Sequence, residues 1–282
     1  MEGTRVQLLA NAMCLVTTRK GPHIIWISGM AGTGKTSIAL TLCQMLCDDP
    51  TVLLGGTFFC SRAASSLEQA DARRIIPTFA TLLVRVVPAC AAALAAELRK
   101  DPDLAHKSIR DQSQRLLANP LGRLVSLDRQ LVFVIDALDQ CSDQRQLVEL
   151  VDALADFKSP VPVKFLVISR PDPRVERSRI CHPNLRKVIE LDTIDLSEVT
   201  ADIRFFIQKS FENTPDTTKW YTEDDLDYLA TLASGLFLFS AVVVGWILER
   251  NRLERLNIVK TQISTSVHAP SLLDQMNSLM VT

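Results

Sequence analysis

The sequence has little of several residue types that mark particular classes of protein. Its 282 residues include only two tyrosines and four histidines, and aromatic side chains make up 6% of the chain. The formal net charge is −1, so the chain has no general electrostatic attraction to nucleic acid or to anionic membranes. No internal repeat or low-complexity tract is visible. Hydrophobic residues reach 47%, which is enough for a packed core and argues against wholesale disorder.

Paired cysteine motifs are also absent. The seven cysteines are scattered and form no C-x-x-C pair. Cys43 and Cys47 lie four positions apart, so on a helix they share one face, and we interpret them as core residues instead of metal ligands. Cys181 and His182 lack partners at a zinc-like spacing. Unpaired cysteines are typical of a reducing compartment, and we expect a cytoplasmic location.

One apolar stretch is long enough to raise a membrane alternative. Leu229–Leu248 contains 20 residues without a charge, and about 20 apolar residues can span a bilayer. Small and polar residues dilute the stretch, and Gly235 predicts a break before a shorter helix. We interpret it as a buried helix of a helical subdomain and expect no membrane association. The N-terminal residues carry an acid, bases and no long apolar run, so they do not form a secretory signal.

Short, continuous apolar runs alternate with helical patterns along most of the chain. The runs are typical of parallel strands that are covered on both faces. The predicted strands are His23–Ser28, Leu53–Cys60, Leu131–Asp136, Lys164–Ser169 and Lys187–Leu191. The predicted helices between them are Thr36–Cys47, Arg74–Val87, Pro88–Lys100, His106–Asn119 and Gln144–Phe157. After Asp195 the patterns are only helical: Ser197–Phe211, Glu223–Ala233 and Leu236–Arg250.

This alternation predicts an α/β fold with a three-layer α/β/α core and a five-stranded, mostly parallel sheet. A small helical subdomain follows it. We place the boundary near residue 195, which gives a core domain at 1–195 and the helical subdomain at 196–282.

The strongest motif follows the first strand. Residues 29–36, GMAGTGKT, match G-x-x-x-x-G-K-[ST] in full, with a strand before the motif and a helix after it. This is a P-loop, in which successive backbone N–H groups surround phosphate oxygens. Lys35 is expected to reach the β- and γ-phosphates, and the Thr36 hydroxyl to bind Mg²⁺. We predict that the loop binds a nucleoside triphosphate, ATP or GTP. The predicted nucleotide-binding residues are Gly29, Met30, Ala31, Gly32, Thr33, Gly34, Lys35 and Thr36.

Two further residues lie at the carboxyl ends of predicted strands. Asp136 ends the strand in "LVFVID" and is predicted to hold Mg²⁺ together with Thr36. Ligands collect at this edge of parallel sheets, and Arg170, in "FLVISRPDP", is predicted to contact the γ-phosphate through its guanidinium group. The alternative for Arg170 is a surface arginine before a proline turn.

Several segments, in order, resemble fungal NACHT domains. They are WISGMAGTGKTSIA, GGTFFCSR, ARRIIPTFATLL, VFVIDALDQC, KFLVISRPDP and ASGLFLFSAVVV. NACHT domains are P-loop NTPase modules of the signal-transduction ATPase class, and the nephrocystin-3-like N-terminal region is the nearest description. The resemblance implies a switch that is closed with diphosphate and that opens and self-associates with triphosphate. It also implies protein partners, and a chain that is either part of a repeat protein or a separate switch module.

The sequence departs from the family at Gln140. The resemblance implies a glutamate there, in a string similar to DALDEC, that would polarise the attacking water. Glutamine cannot accept a proton at neutral pH, so hydrolysis is expected to be weakened, with Asp139 as a substitute base. Three alternatives remain: a switch with slow hydrolysis, an active ATPase that uses Asp139, and a scaffold that binds nucleotide without hydrolysing it.

A basic segment is the remaining candidate for a binding surface. Ser169–Lys187 holds six basic residues against two acids. No aromatic residues are interleaved for base stacking. We interpret the segment as a solvated loop and expect no nucleic-acid partner.

Overall fold

The structure is a computed structural model that describes residues 3–62, 67–173, 186–214 and 220–264. The chain forms two compact units. The larger unit comprises residues 6–31 and 35–192, and the smaller comprises 3–5, 32–34 and the residues from 193 onward. The predicted domains at 1–195 and 196–282 stay a prediction. The division into units describes packing and does not test whether either part folds independently.

A five-stranded sheet forms the centre of the larger unit. Its strands are β1 (Ile24–Ser28), β2 (Val52–Phe59), β3 (Gln130–Asp136), β4 (Val163–Ser169) and β5 (Arg186–Glu190). They lie in the order β2-β3-β4-β1-β5, and every pairing is parallel. The predicted α/β fold is therefore confirmed, with each strand within one residue of its predicted bounds.

Burial on both faces explains why the strands read as continuous apolar runs. Every residue of β1 and β3 is buried. Phe133 of β3 stacks on Phe79 at a centroid distance of 4.8 Å and on Phe165 of β4 at 5.7 Å. A strand that is buried on both sides has no polar face, so its sequence does not alternate.

Among the described residues, seven α-helices accompany the sheet. They are α1 (Val6–Thr17), α2 (Lys35–Asp48), α3 (Ile75–Val86), α4 (Ala91–Lys100), α5 (Ile109–Gln112), α6 (Asn119–Leu121) and α7 (Gln144–Ala155). Helix α1 was not among the predicted helices.

The predicted helix at His106–Asn119 is wrong in its start and its regularity. Helix α5 begins after Ser108, whose side chain accepts the N–H of Asp111 as an N-cap. The segment Ser113–Ala118 is π-helical and leads into α6, which contains Pro120. Proline has no N–H to donate to the preceding turn, and such insertions accommodate the missing bond.

The smaller unit is helical where it is described beyond residue 193. Its helices are α8 (Leu196–Glu212), α9 (Glu223–Leu232), α10 (Phe237–Glu249) and α11 (Arg252–Ser264). Asp195 caps α8 by accepting the N–H of Ser197 at 2.7 Å, and Thr222 and Asp225 form a capping box at α9. Helix α11 was not predicted from the sequence.

The apolar stretch Leu229–Leu248 does not form one helix. It is divided between α9 and α10, with Gly235 at a φ of +83° in the break. Across the described ranges, no single helix combines the length and apolar character needed to cross a bilayer. The pair Ala72–Val86 and Pro88–Lys100 meets that requirement only when both are counted together, and it is bent by 120°.

Candidate nucleotide-binding site

The P-loop joins β1 to α2, as the motif predicts. Gly32 and Gly34 have φ angles of +83° and +87°, a conformation that side chains disfavour. Gly29 is required for a different reason, because a Cβ atom there would lie 2.8 Å from the Cβ of Leu191. The loop can therefore keep its curled backbone only with glycine at these positions, which fits a backbone that surrounds phosphate oxygens.

Lys35 lies at the start of α2 with its ammonium group directed back over the loop. Its Nζ donates to the Met30 carbonyl oxygen at 2.6 Å. Burial lowers the pKa of Lys35, whereas the carboxylates of Asp139 and Asp136 oppose that shift. A partly desolvated cation beside a ring of backbone donors is suited to bind phosphate oxygens.

A carboxylate that follows the edge strand beside β1 holds the first part of the loop. The Met30 N–H donates to Asp192 Oδ1 at 3.1 Å. Asp192 follows β5, which pairs with β1. Sequence reasoning missed Asp192, which follows the predicted strand Lys187–Leu191, because the pairing of that strand with β1 was not predicted.

Asp136 ends β3 and is 2% exposed. Burial raises the pKa of Asp136, and the nearby Thr36 hydroxyl and Ala137 N–H oppose that shift with smaller effects. The Asp136 Oδ1 atom has no hydrogen-bond partner in the structure.

These two residues fit a Mg²⁺ ion. An unpartnered, buried carboxylate oxygen beside a threonine hydroxyl supplies the hard oxygen ligands that Mg²⁺ prefers, and nucleotide phosphates and water complete the usual set. Among the described residues, no group of three or more His, Cys, Asp or Glu side chains is arranged to hold a metal by itself.

The acidic turn, Leu138–Gln140, follows Asp136. Ala137 has a left-handed conformation, with φ +54° and ψ +40°, and reverses the chain direction at the end of β3. Asp139 Oδ1 then accepts the Arg170 N–H at 2.9 Å, and Asp139 Oδ2 lies 3.5 Å from Arg170 Nε. Because β4 lies between β1 and β3, Arg170 at the end of β4 lies between the P-loop strand and the Asp136 strand.

Gln140 faces a different group from Asp139. Its Oε1 accepts the backbone N–H of Arg62 at 3.0 Å, and its carbonyl oxygen accepts from Arg62 Nε at 2.9 Å. Arg62 is the last residue of the segment GGTFFCSR, and sequence reasoning did not select it. Its place just after the predicted strand Leu53–Cys60 did not reveal this contact, because the pairing of β2 with β3 came only with the fold.

Trp26 is buried in β1 and makes a polar contact through its indole nitrogen. Its indole N–H donates to Ser169 Oγ at 2.9 Å, and Ser169 Oγ donates to the Arg170 carbonyl oxygen at 2.9 Å. These two hydrogen bonds connect β1, the strand before the P-loop, to Arg170, which contacts Asp139. The basic segment beyond Pro173 lies mostly outside the described residues, which resume at 186.

Comparison with known proteins places this geometry in a family. Residues 3–170 match the family described as nephrocystin 3, N-terminal. The chain belongs to this family. The resemblance to NACHT-type P-loop NTPases is thereby confirmed, since the family is the one named as their nearest description.

A curated relative of this nephrocystin 3 N-terminal chain is a fungal protein. The chain is 28% identical over 236 residues to vegetative incompatibility protein HET-E-1 of Podospora anserina. The alignment covers 78% of this chain but 16% of that protein. The chain therefore corresponds to one part of a much longer relative.

Two solved structures share the fold. One is the Aeropyrum pernix ORC2 protein in ADPNP and ADP complexes, with a TM-score of 0.52 and 13% identity over 93% of this chain and 69% of that one. The other is the Aeropyrum pernix ORC1 protein in complex with DNA, with a TM-score of 0.51 and 16% identity over 92% of this chain and 65% of that one. At these identities the likeness concerns the fold alone.

Proposed function

We propose that this chain is a nucleoside-triphosphate-binding switch module, of NACHT type, that uses Mg²⁺ and hydrolyses its nucleotide slowly. ATP is the first candidate and GTP the second. One observation carries the proposal. The Thr36 hydroxyl and the Asp136 carboxylate meet at the P-loop, and a buried oxygen of that carboxylate lacks a partner. Protein folding alone gives no reason to bury an unpartnered carboxylate oxygen, whereas a cation provides one.

The roles follow from chemistry. The N–H groups of Gly29–Thr36 bind phosphate oxygens, and Lys35 neutralises the β- and γ-phosphates. Thr36 and Asp136 hold Mg²⁺, which supplies charge stabilisation at the phosphates when it is bound. Arg170 contacts the γ-phosphate and keeps Asp139 in place.

Slow hydrolysis follows from the surroundings of two adjacent residues. Gln140 cannot act as a base, and its side-chain oxygen is already occupied by the Arg62 N–H. Of the carboxylates around Lys35, Asp139 has the largest effect on the pKa of Lys35, but Arg170 holds Asp139. We propose that Asp139 supports the remaining turnover. The same two observations favour a second candidate, a scaffold that binds nucleotide without hydrolysis, and measured turnover distinguishes the two.

The partners are inferred from the family. We propose a cytoplasmic protein that binds copies of itself or other proteins when triphosphate is bound. The absence of a nucleic-acid partner stays a prediction, since the Aeropyrum pernix ORC1 structure is a DNA complex. The net charge of −1 supports it.

Calorimetric titration of ATP and GTP with Mg²⁺ into the Lys35→Ala variant tests binding. The variant loses the cation that the loop directs at the phosphates but keeps the backbone donors. We expect triphosphate affinity to fall at least tenfold, which is about 1.4 kcal/mol. Lys100→Ala is the matched control, because its ammonium is exposed and pairs only with Glu97 among the recorded ion pairs. Unchanged affinity in Lys35→Ala would contradict the phosphate site.

A further inference from the structure

Arg62 lies beside the acidic turn because two parallel strands end together. In the register of β2 and β3, Phe59 pairs with Asp136. The Cys60 N–H then donates to the Asp136 carbonyl oxygen at 2.9 Å, which continues the pairing past the end of β2. Arg62, two residues further along, is therefore placed next to the residues that follow Asp136.

The guanidinium group of Arg62 binds three consecutive carbonyl groups. Its Nε donates to the Gln140 oxygen at 2.9 Å, and its Nη2 donates to the oxygens of Asp139 and Cys141, both at 3.1 Å. The Arg62 backbone N–H adds the bond to the Gln140 side chain. Carbonyl groups at the end of a helical turn have no partner inside it, and the planar fork of arginine can satisfy several of them at once.

The turn needs such support because the residue just before it is strained. Ala137 adopts a left-handed conformation that an L-residue with a Cβ atom disfavours. The backbone must keep this conformation if Asp139 is to face Arg170 and Lys35. A strained residue persists where surrounding contacts determine its conformation, and the Arg62 contacts begin two residues after Ala137.

We propose that Arg62 is a positioning residue for hydrolysis: it holds the acidic turn so that the Asp139 carboxylate stays on Arg170 and beside Lys35. This inference rests on the proposed function, since it concerns the same site. Arg62 acts through the turn and not on the nucleotide, so its loss should lower turnover while leaving triphosphate binding intact.

The test compares the wild-type chain with Arg62→Ala and Arg62→Lys. We expect Arg62→Ala to lower steady-state triphosphate turnover at least about tenfold, since small displacements of reacting groups cost that much or more. The dissociation constant should change less than about twofold, because the P-loop is untouched. Arg62→Lys should recover part of the turnover, since one ammonium group can reach some of the carbonyl oxygens but lacks the fork.

A second measurement reports on Asp139 without any nucleotide. The Arg170 N–H donates to Asp139, so its hydrogen exchange should quicken at least about tenfold in Arg62→Ala if the turn moves. Arg110→Ala is the control, because Arg110 is an exposed arginine whose guanidinium pairs with Asp156. It should leave both turnover and Arg170 exchange unchanged.

The outcomes separate this inference from the proposed function. A wild-type chain that binds no triphosphate contradicts the proposed function, and the Arg170 exchange rate then decides whether Arg62 holds Asp139. If the wild-type chain binds triphosphate but does not hydrolyse it, the same exchange rate decides whether Arg62 holds Asp139. If the wild-type chain hydrolyses nucleotide and Arg62→Ala hydrolyses it equally fast, Arg62 is not a positioning residue, whatever the exchange rate.

Discussion

At the scale of single residues, Asp136 is held in a place that disfavours its charge. It is 2% exposed, one of its oxygens lacks a partner, and burial raises its pKa. An acid with a raised pKa binds its proton more tightly in the folded chain than in the unfolded chain. Its contribution to stability therefore falls as the pH rises from the usual aspartate range through the raised pKa. A divalent cation at Oδ1 would offset that loss.

Replacing Asp136 by asparagine separates stability from function. We expect Asp136→Asn to raise the thermal midpoint at neutral pH without Mg²⁺ and nucleotide, because a neutral side chain is less costly to bury. A gain of about 1 kcal/mol would appear as roughly 2–4 °C. The advantage over wild type should shrink as the pH is lowered below the raised pKa. The midpoint increase that Mg²⁺ and triphosphate give the wild-type chain should be lost.

Asp128→Asn is the control for this prediction, because Asp128 is exposed in the segment before β3. It should change neither the midpoint nor the response to Mg²⁺ and triphosphate. A lower midpoint for Asp136→Asn in ligand-free buffer would mean that the ionised carboxylate stabilises the fold by itself, and the argument for a cation at this oxygen would fail.

Asp139 and Gln140 are adjacent but face different groups. This difference predicts how turnover responds when Asp139 becomes an amide or Gln140 becomes a carboxylate. Asp139→Asn should abolish the remaining triphosphate turnover, because it removes the carboxylate that is proposed as the base. Gln140→Glu should raise turnover, but by less than the factor of about 10² at the lower end of general-base catalysis. The new carboxylate would begin hydrogen-bonded to the Arg62 N–H and would have to turn away from it.

Both variants keep the P-loop, so calorimetry should give triphosphate affinities close to that of the wild-type chain. Steady-state phosphate release is the measurement that distinguishes them. If Asp139→Asn turns over as fast as the wild-type chain, Asp139 is not the base. If Gln140→Glu turns over no faster than a wild-type chain that already hydrolyses triphosphate quickly, then the side chain at position 140 only orients water, which an amide can do.

At the scale of elements, the strands were predictable because burial leaves a continuous mark on the sequence. The bounds of β1 to β5 follow from apolar runs that end at turn residues. The order β2-β3-β4-β1-β5 was not predicted, because the sequence does not specify which strands pair. That order places Arg170 between the P-loop strand and the Asp136 strand. The contacts among the predicted site residues came only with the fold, and the roles of those residues stay predictions.

Helices and supporting residues were harder to predict for other reasons. Helix α1 buries Leu8, Leu9, Ala12 and Val16, but polar and small residues interrupt its apolar pattern. The π-helical segment at Ser113–Ala118 has no periodicity of its own in the sequence. Arg62 and Asp192 support the site through backbone hydrogen bonds, and a side chain that binds carbonyl or N–H groups has no motif that a sequence could reveal.

At the scale of the whole molecule, the chain corresponds to one part of a longer relative. It covers 16% of the vegetative incompatibility protein HET-E-1, so the signal, the effector and the assembled state belong to the proposals. The proposed switch requires a difference between nucleotide states. A nucleotide shifts a conformational equilibrium only by its difference in affinity for the two states.

This difference predicts nucleotide-dependent self-association. We expect analytical ultracentrifugation with Mg²⁺ and a non-hydrolysable triphosphate to give larger species than with Mg²⁺ and diphosphate, at the same protein concentration. Moving a two-state population from 1:99 to 99:1 requires about a 10⁴-fold preference for one state, so an incomplete shift is the ordinary expectation. Lys35→Ala should give one sedimentation profile with both nucleotides, because it lacks the cation that distinguishes them at the γ-phosphate. If the wild-type chain sediments identically with both nucleotides, although calorimetry has shown that it binds each, then nucleotide binding does not control association, and the module is better described as a scaffold than as a switch.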